Sequence, residues 1–203
     1  MASVGAKVLQ TRAVELAMKY GVRLQVLSSF DDRPGTFVVG EDEIVEHELV
    51  SGVTYSRDEA KITLVGVADR PGVAAGIFGP LAEASINVDM IVQNISADAG
   101  TTDITFTVSK ADLERAISVI RESTDLAYAR LLSDPNVVKV SVIGVGMRSH
   151  AGIASKMFRT LAEKGINIQV ISTSEIKVSV LVDEAYTELA VRALHTAYGL
   201  DAH

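Results

Sequence analysis

The sequence predicts an α+β protein built from two tandem ferredoxin-like βαββαβ modules behind a short N-terminal helix and strand. Three observations predict it. The stretch from Lys61, KITLVGVADRPGVAAGIFGPLAEASINVDMIVQN, returns from Lys139 as KVSVIGVGMRSHAGIASKMFRTLAEKGINIQVISTSEIKVSVLV, with Gly72, Phe78 and Asn87 at the same mutual spacing as Gly152, Phe158 and Asn167. Each copy switches between strand-period and helix-period apolar patterns in the order βαββα. One further strand-like run, Leu49 to Tyr55, lies outside both copies, and the second copy is one strand short.

The elements follow in order. Ala13, Leu16, Ala17 and Tyr20 mark one face of a helix from Thr11 to Tyr20, stopped by Gly21. Val22 to Leu27 alternates as a strand would, before a loop from Ser28 to Thr36 that contains Arg33-Pro34-Gly35. The acidic stretch Gly40 to Glu48 reads as a linker. The first module reads strand (Ile62 to Ala68), helix (Gly72 to Glu83), strand (Val88 to Asn94), a turn at Asp98 to Gly100, strand (Asp103 to Val108), helix (Ala111 to Arg121) and a closing strand from Ala127 to Leu132. The second reads strand (Val140 to Val145), helix (Gly152 to Glu163), strands (Ile168 to Ser172, Lys177 to Val182) and helix (Ala185 to Ala197). Its tail, Leu200 to His203, is too short for a closing strand, and an open sheet edge is costly. Leu49 to Tyr55 is the expected donor. The first module is then inserted in the second, with bounds of 1–45 for the N-terminal segment, 61–132 for the first module, and 49–55 with 138–203 for the second. A cut at Ser133 to Asn136 is expected to damage both.

Composition narrows the function classes. With 203 residues, 48% of them hydrophobic, the chain can bury a core large enough for two small domains. No apolar run reaches the roughly 20 residues of a membrane span, and no charged-then-apolar leader opens the sequence, so a cytoplasmic protein without membrane partners is expected. The absence of cysteine removes disulfides, thiolate metal sites and thiol nucleophiles. A net charge of -7 without a Lys/Arg cluster argues against nucleic acid.

Two turns carry the candidate chemistry. In the first, Asp69-Arg70-Pro71-Gly72-Val73-Ala74-Ala75, N–H groups at a helix start attract a carboxylate, and glycine lets a ligand approach the backbone closely. Asp69 suits an ammonium group, and Asn87 and Gln93 offer side-chain amides across a module interface. The bland alternative makes Asp69 a helix cap and Pro71-Gly72 an ordinary turn. The matching turn, Met147 to Ile153, contains His150, Ala151, Gly152 and Ile153, with Asn167, Ile168 and the polar row Ser172-Thr173-Ser174-Glu175 beyond it. That row reads equally as a solvated edge or a pocket lining. Gly144-Val145-Gly146 lacks the third glycine of a dinucleotide fingerprint, and the four histidines have no ligand spacing, so neither a cofactor nor a metal is expected. No serine has a placeable histidine and carboxylate partner.

The motifs VADRPGVAAGIF, INVDMIVQNIS, GTTDITFTV, VGMRSHAGIA and STSEIKVSVL resemble tandem ACT domains, and specifically the regulatory region of aspartate kinase. GAKVLQTRAVELAMKYGVRLQVLSSFDDRPGTFV is similar to the last helix and strand of that family's catalytic domain. The resemblance implies a regulatory subunit that binds L-lysine, L-threonine or both for feedback inhibition of aspartate-family amino-acid synthesis, pairing with a catalytic aspartate kinase subunit. It favours the pocket reading of Thr173, Ser174 and Glu175, and draws weaker attention to Thr101-Thr102-Asp103. It also departs from the family: no Gly-Gly pair or phosphate loop is present, and roughly 45 residues before the repeats cannot supply ATP and aspartate sites. The chain alone is therefore expected to be inactive. Two rivals differ in class. One is an ACT unit with empty pockets that serves assembly, separable by calorimetry with lysine and threonine. The other is a small α+β enzyme using Asp69 and Glu175, separable by an activity screen with aspartate and ATP.

Ferredoxin-like sheets leave one edge and one helix-free face open, so the chain is expected to form a homodimer. Sedimentation at micromolar concentration should give a dimer, and a monomer with and without effectors would count against it.

Overall fold

Two long strands organise the chain. The computed structural model describes residues 8–39, 50–95, 100–123, 126–144 and 152–202. Its elements are α1 (Thr11–Lys19), β1 (Leu24–Val26), β2 (Thr36–Val38), β3 (Gly52–Ala68), α2 (Val73–Glu83), β4 (Asp89–Ile95), β5 (Thr101–Val108), α3 (Leu113–Glu122), β6 (Arg130–Ile143), α4 (Ile153–Glu163), β7 (Val170–Thr173), β8 (Lys177–Asp183) and α5 (Thr187–Ala197). β1 and β2 form a separate antiparallel pair. The other strands form one six-stranded sheet in the order β4-β5-β3-β6-β8-β7.

The sequence reading placed a break where the structure has none. Leu49 to Tyr55 and Ile62 to Ala68 were expected as separate strands, but Gly52 to Ala68 is continuous; Leu49 lies outside the described residues. Ala127 to Leu132 and the strand from Val140 are likewise joined as β6, which runs through Pro135. Gly52–Ser56 pairs with Lys139–Ile143, and Lys61–Val65 pairs with Arg130–Asp134. β3 and β6 therefore serve both halves of the sheet. The reason lies between those two paired blocks. Across the step from Lys61/Asp134 to Glu59/Val137, β6 carries one extra residue, which accommodates Pro135; from Glu59/Val137 to Ser56/Lys139 the extra residue is on β3. Two opposed bulges absorb a proline and a charged Arg57-Asp58 pair that look like a linker in one dimension. β2 was also missed, because Thr36 to Val38 is too short to show alternation. β7 starts two residues later than expected, leaving Ile168 outside it.

The helices cover one face of the sheet. α2 and α3 pack over Ile62, Leu64, Ile104 and Phe106, where Phe78 meets Phe106 edge to face. α4 and α5 pack over Val138, Val140, Val142, Val178, Val180 and Val182, which sit at alternate positions as a strand's period of two requires. Each fully buried Leu, Ile or Val of this kind contributes about 1.5–3 kcal/mol.

The helix-free face is not bare. Bulges sharpen twist, and β4 and β7, at opposite ends of the sheet order, lie against each other, so that Met90, Val137, Val170 and Leu181 form a third buried cluster. A further irregularity supplies Met90: β4 advances three residues from Asp89 to Val92 while β5 advances two, and Met90 takes a left-handed φ of 49°. Met90 thereby turns inward while Asp89, still about half exposed, reaches Lys139, and Ile91 is left exposed. The two modules thus cover part of the helix-free face for each other.

Leu64 is fully buried between α2 and the sheet, whereas Ile91 is about half exposed. Leu64→Ala should cost about 2–5 kcal/mol in urea unfolding, and Ile91→Ala within about 0.5 kcal/mol.

Candidate functional site

In each module the chain leaves a central strand, turns, and enters a helix through a glycine. Gly72 (φ 90°) precedes α2 and Gly152 (φ 115°) precedes α4, and neither helix start has a side-chain cap. A Cβ at either glycine would meet nothing within 4 Å, so glycine is there for its backbone angle, and the space above it is open. The first N–H groups of a helix have no partner within it, and these two starts leave them uncapped by side chains. The other two helices of the modules differ, whereas α1, outside them, also starts without a side-chain cap. The turn before α3 is capped by Ser109, which accepts from the Asp112 N–H, and the turn before α5 by Asp183, which accepts from the Ala185 N–H. Asp69 is thus not the cap of α2; its own N–H donates to the carbonyl of Gly100 at 2.8 Å.

The structure gathers part of each candidate set. Asp69, Gly72, Ala74 and Ala75 are exposed together at the end of β3, and Gln93 is exposed at the same end of the sheet, two strands away on β4. Val73 is half-buried against the first core, and Ala74 lies in the first turn of α2 rather than in a loop. Asn87 is exposed just before β4, at the other end of α2, and so is not beside Asp69 within its module. In the second module Gly152 is exposed, and Thr173, Ser174 and Glu175 form the exposed hairpin between β7 and β8 at the same end, where the Gly144 N–H donates to Ile176 and the Ser174 N–H to Lys177. Ile153 is buried in the core and Ile168 packs against it, so only their backbone groups remain for a ligand. Asn167 lies at the far end, exposed. His150 and Ala151 fall outside the described residues. Of the weaker candidates, Thr102 is buried and donates to Asn94, and Asp103 accepts from the Gly66 N–H, so both are held by the turn itself.

A cleft of about 570 Å³ opens beside the first turn, lined by Arg70, Pro71, Gly72, Val73, Gly76 and Glu122 among others. Gly76 stands where the second repeat has Lys156, which lies over the Tyr198 ring at 5.3 Å. The Tyr198 hydroxyl donates to the Ile153 carbonyl at 2.6 Å. Burial pushes that phenol up to about 12.

Charge sits at the centre of the molecule. Lys139 Nζ meets Glu59 at 2.5 Å and Asp89 at 2.7 Å. Burial works against both charges of the Lys139–Asp89 pair, but the hydrogen bonds and mutual attraction outweigh it, leaving the Asp89 carboxyl below its ordinary value and the Lys139 ammonium above its own. Sequence reading missed this trio. The available signal was that Lys61 and Lys139 open the first strand of each repeat. Among the described residues no helix is long and apolar enough to cross a membrane, and no side-chain cluster could hold a metal ion.

A family model described as ACT domain matches residues 62–123 and 140–198. The regulatory subunit of aspartate kinase from Thermus thermophilus, solved ligand-free, is 37% identical with a TM-score of 0.71, covering 74% of this chain and 99% of its own. The chain belongs to the ACT-domain regulatory family of the aspartokinases. The aspartokinase of Pseudomonas aeruginosa is 56% identical over 205 residues, which is 100% of this chain and 50% of that protein. The chain spans about half the length of the curated relatives it matches. Escherichia coli aspartokinase III in complex with lysine and aspartate is 26% identical, with a TM-score of 0.74 over 98% of this chain and 44% of its own. For an ACT regulatory region, the two uncapped helix starts are the natural places to look for a ligand.

The Tyr198 shift has a defined sign. A phenol raised on folding contributes stability that is complete below its unfolded value of 10.0 and is lost as pH rises through about 12. Alkaline unfolding followed by circular dichroism should therefore steepen in that window, and Tyr198→Phe should remove part of the steepening.

Proposed function

We propose that this chain is the effector-binding part of an aspartokinase, with modules at 61–132 and at 49–55 with 138–203. It takes up L-lysine, L-threonine or both at its strand-to-helix turns, and restrains a catalytic aspartate kinase chain when they are filled. The observation that carries the reading is the pair of glycine-entered, uncapped helix starts at Gly72 and Gly152, against the side-chain-capped turns before α3 and α5 of the same modules. An α-amino acid presents a carboxylate, which suits N–H groups at the positive end of a helix, and an ammonium, which suits Asp69 in the first turn and Glu175 in the second. Lysine in the complex of the related Escherichia coli enzyme supports this class of effector. The amide of Gln93 completes the first set. Asn87 and Asn167 are too far from the turns of their own modules, so they serve a site assembled with a second copy of the chain. Such a homodimer has free material to use, since β4 and β7 end the sheet and carry the exposed, repeat-equivalent Ile91 and Ile171.

Calorimetric titration of the chain with lysine and with threonine should show saturable binding of at least one. Ala74 is exposed in the first turn of α2, so Ala74→Leu should leave thermal stability nearly unchanged while weakening binding at the first turn about tenfold or more. If both affinities stay as in the parent chain, the effector site is elsewhere.

A further inference from the structure

The two repeats exchange lysines. Lys139, at the start of the second repeat, donates to Asp89 of the first at 2.7 Å and to the buried Glu59, while Lys61, its counterpart in the first repeat, donates to Gln169 of the second. Asp89 and Gln169 are equivalent as well, each the second residue after the asparagine of Ile-Asn-Val and Ile-Asn-Ile. The exchange is reciprocal in geometry but unequal in charge. The first acceptor is a carboxylate backed by Glu59, and the second is a neutral amide whose neighbourhood has Val137 in the place of Glu59.

Asp89 sits at a place where the chain has a choice. It is the residue before the β4 bulge, its carboxylate also accepts the Met90 N–H at 2.8 Å, and Met90 is held at positive φ. Side chains alternate along a strand, so losing that bulge, which slips Val92 onward by one residue against β5, would exchange the faces of Gln93 and Asn94. A charged grip on Asp89 selects one arrangement.

We propose that Lys139 is a positioning residue for the first effector site: through Asp89 it fixes the β4 bulge and hence the face that presents Gln93, so that the second module sets the geometry of the site in the first. This rests on the effector reading above. The converse grip of Lys61 on Gln169 is weaker, because a neutral acceptor holds an ammonium less firmly than a carboxylate does. Coupling between the modules therefore runs mainly through one side chain.

The test uses the full chain. Hydrogen exchange of the β4 segment, read by mass spectrometry, is compared among the parent, Lys139→Met, Lys139→Arg, Asp89→Asn and Lys61→Met, and each is titrated with lysine and threonine. Lys139→Met should speed β4 exchange about tenfold and weaken, by about the same factor, the amino acid whose binding Ala74→Leu blocks. Lys139→Arg should stay within about threefold of the parent, and Lys61→Met should leave β4 within about twofold. Adding Lys139→Met to Asp89→Asn should change little further, because both act on one contact. Where unpaired Glu59 unfolds the single variant, Glu59→Gln/Lys139→Met removes the stranded charge and carries the same expectation. Unchanged β4 exchange in folded variants, or additive effects of Lys139→Met and Asp89→Asn, would overturn the proposal. If the parent binds neither amino acid, the effector reading fails on its own, and the exchange comparison still decides whether Lys139 sets β4.

Discussion

The antiparallel pairing of β3 with β6 is the constraint on which the rest of the molecule depends. Each of these strands is long enough to serve two modules, and each module borrows from the other's long strand the edge it would otherwise lack. Two opposed bulges at the middle of the ribbon bend it, and the bend brings β4 against β7 with Met90, Val137, Val170 and Leu181 between them. Glu59 and Lys139 are then buried as a charged pair, with the half-exposed Asp89 at its rim. Breaking such a pair by removing one partner costs about 3–5 kcal/mol. The pairing thus accounts for the order of strands, for the cluster on the helix-free face and for the buried charge.

The same ribbon separates the two turns. β3 ends at the first and β6 at the second, and because the strands are antiparallel the turns lie at opposite ends, on the order of 50 Å of strand apart. The two candidate turns of a single chain are therefore separate rather than parts of one composite pocket. The ribbon and the lysine exchange at its centre lie between the two turns. By linkage, an effector shifts such an assembly only as far as it prefers one arrangement, typically by about 1–3 kcal/mol. A contact of the Lys139 type is of the right size to carry that difference.

Much of this was legible in the sequence, because local rules and the global fold agree. The α2 and α4 starts follow from Gly72 and Gly152, and the valine alternation of β6 and β8 gives both the strands and the face they bury. Where the reading went astray, one-dimensional signals were overridden by partners distant in sequence. Pro135 and the Arg57-Asp58 pair fell between strands expected to be separate, but sit in bulges that exist only when β3 and β6 are side by side. Ile153 and Ile168 were counted with the ligand set as part of the second turn and of the Asn167-Ile168 stretch beyond it, yet the core claims their side chains. The lysine exchange was visible only as two lysines in register. Their acceptors, Asp89 and Gln169, lie 50 and 108 residues away from Lys139 and Lys61.

The central claim is that amino-acid effectors bind at the two uncapped helix starts. The most direct measurement is a two-dimensional amide spectrum of the isotope-labelled chain, recorded during titration with lysine and then threonine. The account predicts saturable shifts centred on the amides of Gly72 to Ala75 or Gly152 to Ser155, with the capped amides of Asp112 and Ala185 unmoved. Shifts confined to α3 and α5, or none at all up to millimolar amino acid, would contradict it.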